Sequence, residues 1–362
     1  MSRLRLAIDG RPLQGEPLGV ARYLSGVLPV LAQDADVFVL LEGRRPVPQE
    51  TLDGIQTVPL SAPRGVPALG WLELAVAPWL RRFDGVFHGA FNLLPLTWRG
   101  ASVLTLHDLA PQLHPEDFRL DRQIAWRLNM RAAVRRARRI TTVSEFVRGQ
   151  IVEYFKLAPE QVVVAPDAVA PVFNPDRAAR APELARALGI APPYIVALGG
   201  APRRGLPVAI EAWRTVKRQR EATGAPTVAL AVLGQADIAP EPGLVQLRPL
   251  EDEDWATLLA GAQALCYPTR YEGFGLPALE AAASGTPVVC TPVASLPEVL
   301  GDAGCWAASP SPDAIAEVLH RVLHDPQWHG ERRSAGLEQA RSATSFAQTA
   351  AILLEAYRQA AA

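Results

Sequence analysis

Residues 271–289, YEGFGLPALEAAASGTPVV, decide how this chain is read: two carboxylates, a glycine-rich turn and a helix start fall within one strand-to-helix junction. The apolar run at 264–267 has strand length and 276–283 has helical composition, so Gly273 and Gly275 are predicted on the connecting loop. Such a loop brings bare backbone N–H groups to a helix N-terminus, whose partial positive charge and unpaired donors receive phosphates and sugar hydroxyls. Glycine lets a ligand approach the backbone. Glu272 precedes the loop and Glu280 follows it within the helix, so the two carboxylates need not keep helical phase and can converge on a polyol from two sides.

At 362 residues the chain exceeds what one core usually serves, and two domains of similar size are expected. A hydrophobic content of 49% supports large buried cores. The net charge of -1 excludes a strong global field, so neither a nucleic-acid partner nor a polybasic anchor follows from charge balance. Cys266, Cys290 and Cys305 lie in apolar surroundings without metal-ligand spacing and read as buried thiols of a reducing compartment. The N-terminus MSRLRLAIDGRPL passes into a strand pattern without an apolar signal core, and no uncharged run reaches the roughly 20 residues of a membrane span. The expected location is cytoplasmic.

Short apolar runs alternate with helical patterns. Residues 4–8, 37–41, 85–87, 102–106 and 162–164, then 194–198, 228–233, 244–247, 264–267 and 288–290, are the predicted strands. Alternation of this kind predicts a parallel, doubly wound sheet in each half. Between the halves, residues 168–193, AVAPVFNPDRAARAPELARALGIAPP, are rich in proline, which lacks an amide donor, and read as a boundary rather than a core element.

The string EGFGLPALEAAASGTPVV with its E-x7-E pair, Glu272 and Glu280, followed by LPEVLGDAG at 296–304, resembles the signature of the retaining glycosyltransferases of family four, which have the GT-B fold. The resemblance implies an α/β chain of two facing Rossmann-like domains with parallel sheets. It places an acceptor-binding domain at 1–168, a donor-binding domain at 169–345 and a C-terminal helix at 346–362 that crosses back to the first domain. The overall look is of bacterial mannosyl- or rhamnosyltransferases of polysaccharide assembly. That implies a nucleoside-diphosphate sugar as donor, a glycan or lipid-linked acceptor, and no cofactor.

The same resemblance assigns Glu272 and the backbone of Gly273, Phe274, Gly275 and Leu276 to the donor sugar, Glu280 to the ribose hydroxyls, and Leu250, within LRPLEDED at 247–254, to the nucleotide base. ALGGAPRRGL at 197–206 carries Arg203 and Arg204 where the family places arginine then lysine on the diphosphate. Guanidinium groups stabilise the charge a leaving diphosphate gains, and Arg204 offers a wider, planar fork than lysine. The turn is shorter than the common family form and lacks its acidic residue. IDGRPLQGEPLGVARYLSGVL at 8–28 reads as a strand, a loop opened by Gly15 and Gly19, and a helix with Val20, Tyr23, Leu24 and Val27 at helical spacing. It resembles the family loop that faces the diphosphate and acceptor, with Ala21 where glycine is frequent. His88 and His107 each end a buried strand, where open parallel sheets bind ligands. His107, followed by Asp108, matches the family histidine beside the donor sugar, whereas His88 reads as a satisfied structural histidine.

Asp252, Glu253 and Asp254, like Asp34, Ala35 and Asp36, spell the D-x-D of a different glycosyltransferase architecture. Asp252 precedes a helical pattern and reads as its cap, so no catalytic metal is expected. A helix predicted over about 121–139 sets Arg127, Arg131, Arg135 and Arg138 in one stripe, and 67–80, PALGWLELAVAPWL, is apolar with two tryptophans. A stripe and a stretch of this composition suit peripheral contact with the inner membrane face, but a solvated arginine face and a packed core helix are the preferred reading. The intact E-x7-E string argues against an inverting or epimerising relative. Asp167, Ala168 and Val169, where the family often reads Asn-Gly-Val, and the altered turn at 199–205 leave one alternative: a non-catalytic, nucleotide-sugar-binding scaffold of the same fold.

Overall fold

Strands buried on both faces need helices on either side, and the chain meets that demand twice. The structure, a computed structural model, describes residues 3–15, 19–43, 52, 54–63, 65–118 and 120–362, without the side chains of 120–125 and 128. It divides into two units, residues 1–168 with 344–362, and residues 169–343.

In the first unit β1 (Leu4–Asp9), β2 (Ala35–Glu42), β3 (Gln56–Leu60), β4 (Val86–Gly89), β5 (Ser102–Leu106), β6 (Arg139–Thr142) and β7 (Val162–Val164) form one sheet ordered β3-β2-β1-β4-β5-β6-β7. Every described pairing in it is parallel, with Leu6 of β1 set between Val37 and Val86. The helix Gly19–Asp34 buries Tyr23, Leu24, Val27, Leu28 and Leu31. The final helix, Phe346–Ala361, packs into this unit: Phe346 lies against Gly26, where a side chain would collide with its ring. Thr349 donates to Pro166 O at 2.7 Å and Arg138 to Ala360 O at 2.9 Å. In the interior His88 joins Thr105 Oγ1 at 2.6 Å and Tyr357 Oη at 2.8 Å, so one ring ties β4 to β5 and to the last helix.

In the second unit β8 (Tyr194–Leu198), β9 (Ala229–Leu233), β10 (Leu244–Leu247), β11 (Leu265–Tyr267), β12 (Val288–Cys290) and β13 (Cys305–Trp306) form a parallel sheet ordered β10-β9-β8-β11-β12-β13. Cys266, Cys290 and Cys305 are free and buried on its central and edge strands, and burial pushes the Cys266 and Cys305 thiols up to about 12.

Three strands depart from the sequence expectation. β3 is an exposed edge strand, β6 follows the arginine-rich helix Leu120–Arg136 after two residues, and β13 spans two residues. The proline-rich connection is also more structured than expected. Its helix Ala181–Ala187 carries Pro182 in the first turn, where no amide donor is required, and Phe173, Ala185 and Ile190 enter the second unit's core. The apolar stretch at 67–80 buries Trp71, Leu72, Val76, Ala77 and Leu80, with the Trp71 indole donating to Leu60 O at 2.8 Å. Leu74 alone of its large side chains is well exposed. No helix among the described residues is long and apolar enough to cross a membrane.

Candidate functional site

An open parallel sheet binds ligands beyond its carboxyl edge, where chain connections diverge from two neighbouring strands. In the second unit that point lies between β8, whose connection runs to β9, and β11, whose connection runs to β12. The loop after β8 carries Arg203 and Arg204, and the loop after β11 carries Glu272. The two loops are tied together: Arg203 O accepts from Arg270 N at 2.8 Å and from Thr269 Oγ1 at 3.1 Å. Gly205 closes the first loop at φ +71, and a Cβ there would collide with Pro268 O. Glycine is thus required for the loops to meet.

Tyr267, the last residue of β11, is fully buried and donates its hydroxyl to Glu272 Oε1. Burial above all, and then the Glu272 carboxylate, push this phenol far above its usual range, while Arg204 and Arg203 act on it in the opposite sense. The phenol therefore remains a neutral donor, and both guanidinium groups lie within its electrostatic reach. Arg204 Nη1 donates to Gly199 O at 2.9 Å, holding the side chain back across its own turn. The Nε atoms of Arg203 and Arg204 are buried without a partner. Buried donors are normally satisfied, and an unsatisfied Nε on each of two guanidinium groups that act on Tyr267 leaves donors for an anion.

Gly275, at φ +94, caps the helix Leu276–Ala283, and a Cβ there would come within 2.6 Å of Leu296 Cδ2. Among the described residues the N–H groups of Phe274, Gly275 and Leu276 donate to no backbone carbonyl outside the helix's own ladder. Ser295, at the start of the helix Leu296–Leu300 that follows β12, braces this loop, donating to Glu272 O at 3.0 Å and Phe274 O at 2.8 Å. Changing Tyr267 to Phe removes the hydroxyl that fixes Glu272, and a hydrogen bond to a charged group contributes about 1.5–3 kcal/mol. The expected outcome is a donor KM raised roughly ten-fold with an unchanged fold, read by steady-state kinetics beside a melting curve.

Glu280 is held inside the second unit. The residue that the family resemblance gives to the ribose hydroxyls is 0% exposed here and accepts the Trp255 indole proton at 2.8 Å. Of the helix Leu276–Ala283 only Pro277 is not buried, so the helix has no open solvent face. Leu250 lies half-buried between β10 and the helix Asp252–Gly261, packed on the core. Asp252 is the first residue of that helix rather than its cap. Glu251 holds the cap position without a side-chain bond, and the three acids fill the first turn.

In the first unit His107 follows β5 and is half-buried. Its Nε2 meets Ala90 O at 2.9 Å, its backbone N donates to Asn92 Oδ1 at 3.1 Å, and the Tyr23 ring packs edge-on at 5.4 Å. A carbonyl only accepts, so Nε2 carries the proton. Burial lowers the ring's pKa against the opposing pull of Ala90 O and Asp108. The neutral ring then presents Nδ1 as an acceptor. Gly19 begins its helix exposed, with open space where a Cβ would stand; residues 16–18 of the preceding loop lie outside the described residues. Sequence reading missed Tyr267, Trp255, Ser295 and Asn92. It also missed Arg11, whose guanidinium clasps the buried Asp9 carboxylate at 2.9 and 2.5 Å at the end of β1.

Two doubly wound units, one with paired arginines and a carboxylate at its switch point, define a GT-B glycosyltransferase. The chain belongs to the group 1 glycosyltransferases of family four: residues 192–325 match the family described as Glycosyl transferases group 1 and residues 18–173 match Glycosyltransferase Family 4. It is 31% identical to the O-antigen chain mannosyltransferase B of Escherichia coli over 71% of this chain and 70% of that one. It is also 31% identical to the MMP alpha-(1->4)-mannosyltransferase of Mycolicibacterium hassiacum, over 62% of this chain and 54% of that one. Among solved structures, sucrose-phosphate synthase of Thermosynechococcus elongatus superposes with a TM-score of 0.73 at 18% identity, covering 99% of both chains. HepE of Anabaena in complex with UDP and glucose gives 0.73 at 18% identity, covering 98% of this chain and 99% of that one. These two likenesses establish the fold.

Proposed function

We propose that this glycosyltransferase moves a mannose- or rhamnose-like hexose from a nucleoside-diphosphate sugar to a hydroxyl of a glycan or lipid-linked acceptor in bacterial surface polysaccharide assembly. Transfer proceeds with retention and without a metal. The observation that carries this reading is the pair of unpartnered, buried Nε donors of Arg203 and Arg204 beside the Tyr267–Glu272 bond. Cleavage of the donor gives the sugar oxocarbenium character and the diphosphate additional charge. Guanidinium groups fixed beforehand stabilise that charge without reorganising. Glu272 is assigned to the sugar hydroxyls and His107 Nδ1 to a hydroxyl at the reacting face, while the leaving phosphate takes the acceptor's proton. The names of the E. coli and mycobacterial relatives support a mannose-like sugar, and the nucleotide complex of HepE supports a nucleoside diphosphate.

The metal-free reading has its own support. Asp252, Glu253 and Asp254 fill a helix turn, and Asp36 stands at the amino end of β2 in an ion pair with Arg3 at 3.4 Å. The D-x-D at 34–36 therefore lies away from a carboxyl edge. Peripheral contact with a membrane face is supported by Arg127, Arg131 and Arg135, exposed on the helix Leu120–Arg136, whereas Arg138 lies beyond that helix and is bonded to Ala360 O.

The test is incubation of the purified protein with GDP-mannose, dTDP-rhamnose and UDP-glucose, alone and with acceptor extract, reading released nucleoside diphosphate and the anomeric proton of the product by NMR. Release from one donor, lost in Glu272→Ala, with an anomeric configuration matching the donor, is expected. Donor binding without release under any condition would instead favour the non-catalytic scaffold.

A further inference from the structure

The loop at 90–92 is locked to His107 from both sides of Phe91. Ala90 is fully buried and its carbonyl accepts from the imidazole, while Asn92 is buried, held at φ 60, and gives its Oδ1 to the His107 amide. Asn92 N is anchored in turn on Thr105 O at 3.1 Å. A positive φ is uncommon outside glycine, and such residues cluster at ligand sites, where surrounding structure over-determines them. Between these two buried residues Phe91 is 37% exposed, one of three large hydrophobics so exposed among the described residues. Trp126 meets it edge to face, with centroids at 6.3 Å and planes at 88°. The backing fixes the ring and leaves apolar surface in water at the rim of the His107 site.

We propose that Phe91, backed by Trp126, is the acceptor platform: it stacks on the C–H face of an acceptor pyranose ring whose hydroxyl is offered to His107. This rests on the functional reading above and narrows its acceptor to a sugar ring. A pyranose has one face of polarised C–H bonds that matches the negative face of an aromatic ring, and hydroxyls around its edge. A lone, immobilised aromatic face suits that shape. A lipid chain would need contiguous apolar area, and the residues flanking Phe91 are turned inward.

Binding of methyl α-D-mannopyranoside and methyl α-L-rhamnopyranoside is measured by saturation-transfer NMR on the full chain and on Phe91→Tyr, Phe91→Leu and Phe91→Ala. Wild type and Phe91→Tyr should bind at least one glycoside alike, whereas Phe91→Leu and Phe91→Ala should bind roughly five- to ten-fold more weakly. Equal binding by Phe91→Leu would mean that apolar area rather than a ring face is read, and would overturn the proposal. So would the absence of transfer from wild type to either sugar. Thermal shift with the nucleotide-sugar panel, run on the same samples, separates the two readings. A donor response with glycoside binding indifferent to Phe91 sinks the platform alone, and no donor response in any variant sinks the functional reading.

Discussion

Arg204→Ala is expected to slow sugar transfer at saturating donor by roughly 10²–10³-fold, the usual loss when a prepositioned donor to developing negative charge is removed. The argument is geometric. One terminal nitrogen of Arg204 is spent on Gly199 O at 2.9 Å, which fixes the fork, while Nε is buried with nothing to donate to. A donor desolvated in advance loses little on meeting an anion and stabilises most where charge is greatest, in the transition state. The loss should therefore fall on kcat more than on donor KM. Arg204→Lys keeps the charge without the fork and should recover part of the rate. If Arg204→Ala and Arg203→Ala both transfer at the wild-type rate, the diphosphate departs elsewhere.

Acidification is expected to destabilise the first unit through His88. Burial, and then the neighbouring His107, lower its pKa from 6.5 to about 3. In the unfolded chain a histidine takes its proton from about pH 6.5 downward, so between these values the unfolded state binds a proton that the folded state refuses. The contribution is whole above about pH 6.5 and is lost as pH falls toward about 3, in total on the order of 5 kcal/mol. That is comparable with the whole stability of many domains. His107, also lowered, adds in the same direction. The check is a series of melting curves between about pH 7 and 5, above the range in which unperturbed carboxylates titrate. The wild-type melting temperature should fall with pH, and His88→Gln should flatten the slope. An equal slope in both proteins would show that His88 is not the group responsible.

What the sequence disclosed followed the strength of local periodicity. Buried central strands such as Tyr194–Leu198 and Ser102–Leu106 are continuous apolar runs and were legible. β6, RITT, offers one large apolar residue among polar ones, and β3 alternates on an exposed edge with Pro59 inside it, so neither stands out from a loop. The loops with Arg203, Arg204 and Glu272 were legible because glycine marks strand-to-helix turns, and the structure brings them together through neighbouring strands. The partners were not. Tyr267 reaches Glu272 because it ends its strand on the core side, and Trp255 reaches Glu280 only when two helices pack, which no local pattern records. Hence the sequence could not show that Glu280 is buried and bonded to Trp255.

The most direct measurement is a crystal structure of the protein soaked with the nucleoside diphosphate of whichever donor it cleaves. The expected result is a distal phosphate accepting from the Nε atoms of Arg203 and Arg204, at the loops following β8 and β11 and beside Glu272. A diphosphate bound away from these loops, with both Nε donors still unpartnered, would contradict the account.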